Sequence, residues 1–143
     1  MKVHITGLDA KGYIWNPLSA AADKVTRSKL HEKAYKLLEE FYPYDTILEE
    51  VTLPGSKDQF GGKPLRADIF LPARRIIVEV HGEQHYKFNN FFFKSKLEFY
   101  KAKARDSDKR EWCELNEIEL IELNYDEDVD EWREKIRRVS SND

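Results

Sequence analysis

"RADIFLPARRIIVEVHGEQHY", Arg66 to Tyr86, decides the fold of this 143-residue chain. Two runs rich in Ile and Val, Arg66–Leu71 and Arg75–His81, flank a short turn, the pattern of a β-hairpin. A turn centred between Ala73 and Arg74 sets Ile69 against Val78, Phe70 against Ile77 and Asp68 against Glu79. Directly opposed residues hold their Cβ atoms roughly 4.5–5.5 Å apart, so two carboxylates meet on one face. Like charges there repel, and a hard cation such as Mg2+, which takes oxygen ligands, reverses that sign. Strand alternation puts His81 on the face of Glu79. The unbroken run Ile76-Ile77-Val78 marks a strand covered on both faces. Glu79 therefore closes a buried strand, where an unpaired carboxylate is costly.

Outward from the hairpin, the pattern alternates between helices and strands. Leu30, Ala34, Leu37, Leu38 and Phe41 recur at helical spacing, predicting a helix over Ser28–Phe41 that Pro43 stops. "TILEEVTL" (Thr46–Leu53) reads as a strand and "PGSKDQFGGKP" (Pro54–Pro64) as a loop. Past the hairpin, "GEQHYKFNNFFFKSK" is irregular, Leu97–Asn116 is the longest helix, Ile118–Leu123 a short strand and Asp130–Val139 an amphipathic helix. The order helix, strand, strand, strand, helix, strand, helix predicts a small α/β domain built on one mixed sheet. A single domain over residues 1–143 is expected: an N-terminal extension over 1–22 without assigned structure, a core over 28–125 and a C-terminal helix over 130–139.

Composition sets the broad class. A hydrophobic fraction of 41% with 13% aromatics suffices for one packed core. One cysteine, Cys113, excludes an internal disulfide and a thiolate metal cluster. The expected setting is reducing and cytoplasmic, and a phage or bacterial context fits. No apolar run is long enough to span a membrane, and the first residues lack the core of a signal peptide. The net charge of −3 hides a segregation of signs. Pro54–Arg110 carries 13 Lys/Arg against 7 Asp/Glu, whereas Glu111–Glu131 carries ten acids and no Lys or Arg. One basic face suited to phosphates is implied.

Asp68 followed by Glu79-Val80-His81 on the next strand resembles the PD-(D/E)XK nuclease superfamily, with His81 in the place of its lysine. "ADIFLPARRIIVEVHG" is more similar still to the very-short-patch repair endonucleases and the EDxHD homing endonucleases. "KARDSDKREWCELNEIELIEL" resembles their later helix and strand, and "HGEQHY" a stretch of many phage homing-type nucleases. The resemblance covers roughly Ser28 to Tyr125. It implies a restriction-endonuclease-like αβββαβ core with a mixed central sheet flanked by helices, and Mg2+-dependent hydrolysis of DNA phosphodiesters, with Mn2+ able to substitute.

Carried over residue by residue, the resemblance makes Asp68 the central metal ligand, Glu79 the second and the Val80 carbonyl a third oxygen. His81 would orient the attacking water or stabilise charge on the phosphate, and His85 stands as a second imidazole. Asp106 corresponds to the acid of the later helix. A helical wheel, however, groups Leu97, Ala104, Asp108, Trp112 and Leu115 on one face, so Asp108 stays a rival. The first acid of the pattern falls on Glu32, through a one-residue shift, or is replaced by His31. Lys63, Arg66, Lys94, Lys96, Lys101, Arg105 and Lys109 supply the expected phosphate grip. "KFNNFFFK" (Lys87–Lys94) either stacks on bases or packs in the core. The expected partner is double-stranded DNA, with a homo-oligomer adding contacts. Two further functions stay open: a mismatch- or junction-selective nuclease, and a non-cleaving DNA-binding module on a nuclease fold.

Overall fold

In a computed structural model, the structure describes residues 1–57, 62–83 and 96–140. A four-stranded sheet lies at the centre, in the order β3 (Leu48–Thr52), β4 (Arg66–Leu71), β5 (Ile76–His81) and β6 (Glu119–Asn124). The first two pairings are antiparallel and β5–β6 is parallel, so the chain is mixed α/β. Register follows the expectation: Ile69 pairs with Val78, Phe70 with Ile77 and Leu71 with Ile76. The β4–β5 turn ends on Arg75, whose φ of 55° takes it out of the strand assigned to it.

Helices cover both faces. On one, α2 (Lys29–Phe41) and α4 (Val129–Ser140) bury Leu37, Leu38, Trp132 and Ile136 against Ile69, Leu71, Ile76, Val78, Ile121 and Leu123. Ser28 begins α2 by accepting the His31 N–H at 3.1 Å, which satisfies one of the helix's orphan donors. On the other face, α3 (Lys96–Leu115) lays Trp112 and Cys113 on Phe70, Ile77 and Val51. α3 also supplies the long crossover that a parallel β5–β6 pair requires. Truncating a buried tryptophan such as Trp112 or Trp132 would cost about 3–5 kcal/mol.

The segment over 1–22 is structured. β1 (Val3–Thr6) and β2 (Gly12–Trp15) form an antiparallel hairpin, followed by the short α1 (Pro17–Ala20). Trp15 stacks on Phe70 with centroids 4.9 Å apart and meets Trp112 edge-on at 5.3 Å. Its indole N–H donates to the Thr52 carbonyl at 3.1 Å. The hairpin touches the β3–β4 loop through facing glycines: a Cβ on Gly7 would lie 2.8 Å from the Gly55 Cα, so no side chain fits. Buried Asn116, just past α3, pins the hairpin from below. Its side chain accepts the Thr6 N–H at 2.7 Å and donates to the Thr6 carbonyl at 2.9 Å, as a strand neighbour would.

The helical wheel drawn for α3 is corrected. Leu97 and Leu115 are 58% and 49% exposed, while Asp106, Trp112 and Cys113 are buried. The helix is only weakly amphipathic, so its few leucines were a poor guide to its inner face. Among the described residues no helix is long and apolar enough to cross a membrane.

Candidate active site

Beyond the Ile69–Val78 pair the β4–β5 ladder stops, and side chains take over its hydrogen bonds. The Asp68 N–H donates to Glu79 Oε2 at 2.7 Å, and the Val80 N–H donates to Asp68 Oδ2 at 2.9 Å. Each acid thus caps the neighbouring strand, and the two carboxylates are held side by side. Val80 takes part in this arrangement through its N–H, as a donor.

Glu79 is 3% exposed. Burial, then the charge of Asp68, push its carboxyl up to about 8. The compensating cation comes from α3: Lys109 Nζ donates to Glu79 Oε1 at 2.6 Å. Burial alone would lower Lys109, yet the carboxylates of Glu79 and Asp68 raise it above its usual range. Lys109, expected among the residues that grip phosphate, instead turns inward as the counter-ion of Glu79. The signal was in the sequence: Asp106, Lys109 and Cys113 fall at i, i+3 and i+7, one helical face.

His81 shares the α3 side with Glu79 but reaches away from Asp68. Its Nε2 lies 2.9 Å from Oε1 of Glu122 on β6, whereas Asp68 sits on β4, the other neighbour of β5. Glu122 is held down at about 2, by the hydrogen bond from His81 and then by Arg110, whose guanidinium lies 2.8 Å away. It is a site residue that the sequence reading passed over, hidden in the alternation of "IELIEL".

A second histidine–carboxylate pair flanks the opposite strand. His31 is buried, with Nε2 at 3.0 Å from Oε1 of Glu49, which Arg27 clamps at 2.6 and 2.9 Å. Arg27 overcomes burial to keep the Glu49 carboxyl below its ordinary range. Glu32, named for the first acid, is bound instead by Arg27 at 3.0 Å and Lys36 at 3.8 Å. Of the two α2 candidates, His31 is the one turned to the sheet.

Asp106 is buried at 7% exposure and Asp108 only partly so, which favours the former on α3. Asp106 also lies near enough to Lys109 to raise it. Lys63, Arg66 and Lys96 are exposed, and Lys101 and Arg105 half-buried. His85, Lys94 and the "KFNNFFFK" run lie outside the described residues.

Among the described residues no three His, Cys, Asp or Glu side chains converge closely enough to cage a metal ion. The donor chemistry nonetheless fits one class of ion. Mg2+ binds through one or two carboxylates and keeps several waters. The ammonium seated on Glu79 marks the spot as one that takes positive charge.

No protein-family model matches the chain. It is similar to two proteins of invertebrate iridescent viruses. Uncharacterized protein 033L of invertebrate iridescent virus 3 is 41% identical over 64 residues, 45% of this chain and 33% of that protein. Uncharacterized protein 307L of invertebrate iridescent virus 6 is 38% identical over 72 residues, 50% of this chain and 36% of that protein. The matched part spans about a third of the length of these relatives.

Proposed function

We propose that this chain is a divalent-cation-dependent endodeoxyribonuclease domain that hydrolyses phosphodiesters of double-stranded DNA, with Mg2+ as its ion and Mn2+ as a substitute. One observation carries the reading: Asp68 and Glu79 are locked together on adjacent strands, with a cation of the protein's own on Glu79. The strand-borne acid pair agrees with the resemblance to the EDxHD homing and short-patch repair nucleases. Asp68 and Glu79 would hold the ion, which when bound supplies Lewis acidity to a phosphoryl oxygen. Lys109 adds positive charge where the phosphate gathers negative charge. Glu122 fixes the His81 ring for proton transfer. Exposed Lys63, Arg66 and Lys96 supply salt-dependent grip on the backbone. The buried free thiol of Cys113 suits a reducing, cytoplasmic setting.

One observation favours the non-cleaving reading. Lys109 Nζ already sits on Glu79 Oε1, so a positive group of the protein's own fills that place without a divalent ion. Incubation of the purified chain with Mg2+ or Mn2+ and with supercoiled, linear, mismatched and branched DNA separates the readings. The nuclease reading expects cleavage that chelator and Asp68→Asn both abolish. Cutting confined to mismatched or branched DNA would assign a repair-type nuclease. Chelator-insensitive binding of intact DNA would sink the nuclease reading.

A further inference from the structure

The fold leaves a cavity of about 600 Å3 where the tip of the β1–β2 hairpin meets the β3–β4 loop. Its lining is of two kinds. Leu8, Pro54, Pro64 and the Tyr13 ring give apolar surface, and Asp9, Lys11 and Lys57 give charge. Small-molecule sites commonly combine roughly 300–1,000 Å3 of space with mostly apolar walls and a few polar groups. The three charged residues are exposed, with two ammoniums against one carboxylate. Asp68 and Glu79 do not line this cavity.

The walls are tied in place by the fold itself. The Leu8 N–H donates to the Gly55 carbonyl at 2.7 Å, joining the hairpin tip to the loop. Within the loop, buried Ser56 donates to the Leu53 carbonyl and accepts the Leu65 N–H at 2.8 Å. The Pro54 carbonyl accepts the Trp112 indole N–H at 2.8 Å. At the tip, Asp9 Oδ1 accepts the Lys11 N–H at 3.0 Å and Oδ2 accepts the Tyr13 hydroxyl. Each oxygen of that carboxylate keeps a further lone pair. Asp9 Oδ1, the Tyr13 ring edge and the Gly55 Cα all lie within 2.8 Å of where a Cβ on Gly7 would stand, so charged and aromatic lining meet at one point. Trp15, Asn116 and the Gly7–Gly55 contact dock the hairpin, and none of them requires a hollow ringed by charge.

We propose that this cavity binds a nucleoside phosphate. A flat base matches the apolar walls and the Tyr13 ring, since every base has a face to stack. The Asp9 carboxylate accepts N–H groups of the base edge. Lys11 and Lys57 meet the phosphate as point charges. Inorganic phosphate alone would leave the apolar walls unused, and a nucleoside without phosphate would leave the two ammoniums unused. Walls held before binding keep the ordering cost low. The same chemistry has two sources, a free nucleotide and an unstacked nucleotide of a DNA strand. The proposal does not depend on the nuclease reading, because the cavity uses none of its carboxylates.

The test is a titration of the full, isotope-labelled chain followed by two-dimensional NMR. The probes are the four deoxynucleoside monophosphates, the matching nucleosides, inorganic phosphate and a short single-stranded oligonucleotide. At least one monophosphate should shift the amides of Leu8, Asp9, Tyr13 and Gly55 saturably. Its nucleoside and inorganic phosphate should each bind about ten-fold more weakly or worse. Lys11→Glu and Lys57→Glu change exposed side chains and leave the fold intact. Each should weaken the monophosphate about ten-fold or more, the worth of one charged hydrogen bond. Asp68→Asn should bind it as wild type does. An oligonucleotide that binds the same residues more tightly than the monophosphate assigns the site to a DNA strand; weaker or equal binding assigns it to a free nucleotide. The proposal is overturned if no monophosphate gives a saturable shift, or if inorganic phosphate binds as tightly as the best of them. Wild-type affinity in both lysine variants, or loss in Asp68→Asn, would equally overturn it.

Discussion

The Asp68 N–H donates to Glu79 Oε2 while the carboxylate of Asp68 accepts the next N–H along, that of Val80. Two side chains replace the rungs of a ladder that has just stopped. Asp68→Ala leaves the Val80 N–H without its acceptor, at a cost of about 1–3 kcal/mol. Asp68→Asn keeps an oxygen in that place and removes the charge that raises Glu79. It should be as stable as wild type or more so. Urea unfolding at neutral pH compares the two, and equal destabilisation would show that the hydrogen bond is not what matters.

Glu79 gives the fold a pH dependence of known sign. Its carboxyl titrates near 8 in the folded chain against an ordinary 4.5. The unfolded state therefore releases this proton first, and stability falls as pH rises from about 4.5 to about 8. The melting temperature should decline across that window in wild type and decline less in Glu79→Gln. Divalent ions, which favour the charged carboxylate, should restore part of the loss at pH 8. An identical pH profile in Glu79→Gln would contradict the assignment.

Lys109→Met tests the internal counter-ion. Removing one member of a buried pair commonly costs several kcal/mol, but Glu79, with its carboxyl raised to about 8, already holds a proton below that pH. The loss should be about 1–3 kcal/mol at pH 8 and smaller at pH 6, because neutralisation is easier there. A loss independent of pH would mean that Lys109 acts through packing alone.

Asn116 predicts a local effect in the N-terminal hairpin. Asn116→Ala deletes the bonds to both backbone groups of Thr6 and to the Trp112 carbonyl. About 2–3 kcal/mol should be lost, given unmet buried partners. Hydrogen exchange should rise first in β1 and β2 and only later in the central sheet. Uniform acceleration would deny the hairpin its dependence on this side chain.

The Asp68–Glu79 relationship was legible because a tight turn fixes register: once Ile69 faces Val78, the next pair follows. The helices over Ser28–Phe41 and Asp130–Val139 were legible because their apolar spacing is clean. The positive φ of Glu50 inside β3 was not, since no residue type announces a left-handed backbone inside a strand. The pairing of Lys109 with Glu79 was not legible because α3 exposes two of its leucines and buries an aspartate, so its apolar residues do not mark its inner face. The N-terminal hairpin escaped notice because it docks through Trp15, two glycines and the bonds of one asparagine, a tertiary fit with no local pattern.

The proposed nuclease chemistry requires a divalent cation on Asp68 and Glu79. Anomalous diffraction from crystals soaked in Mn2+ tests it most directly. One peak is expected beside the carboxylates of Asp68 and Glu79, with Lys109 Nζ displaced from Glu79 Oε1. Crystals saturated with Mn2+ that show no peak there, with Lys109 still bound to Glu79, would contradict it.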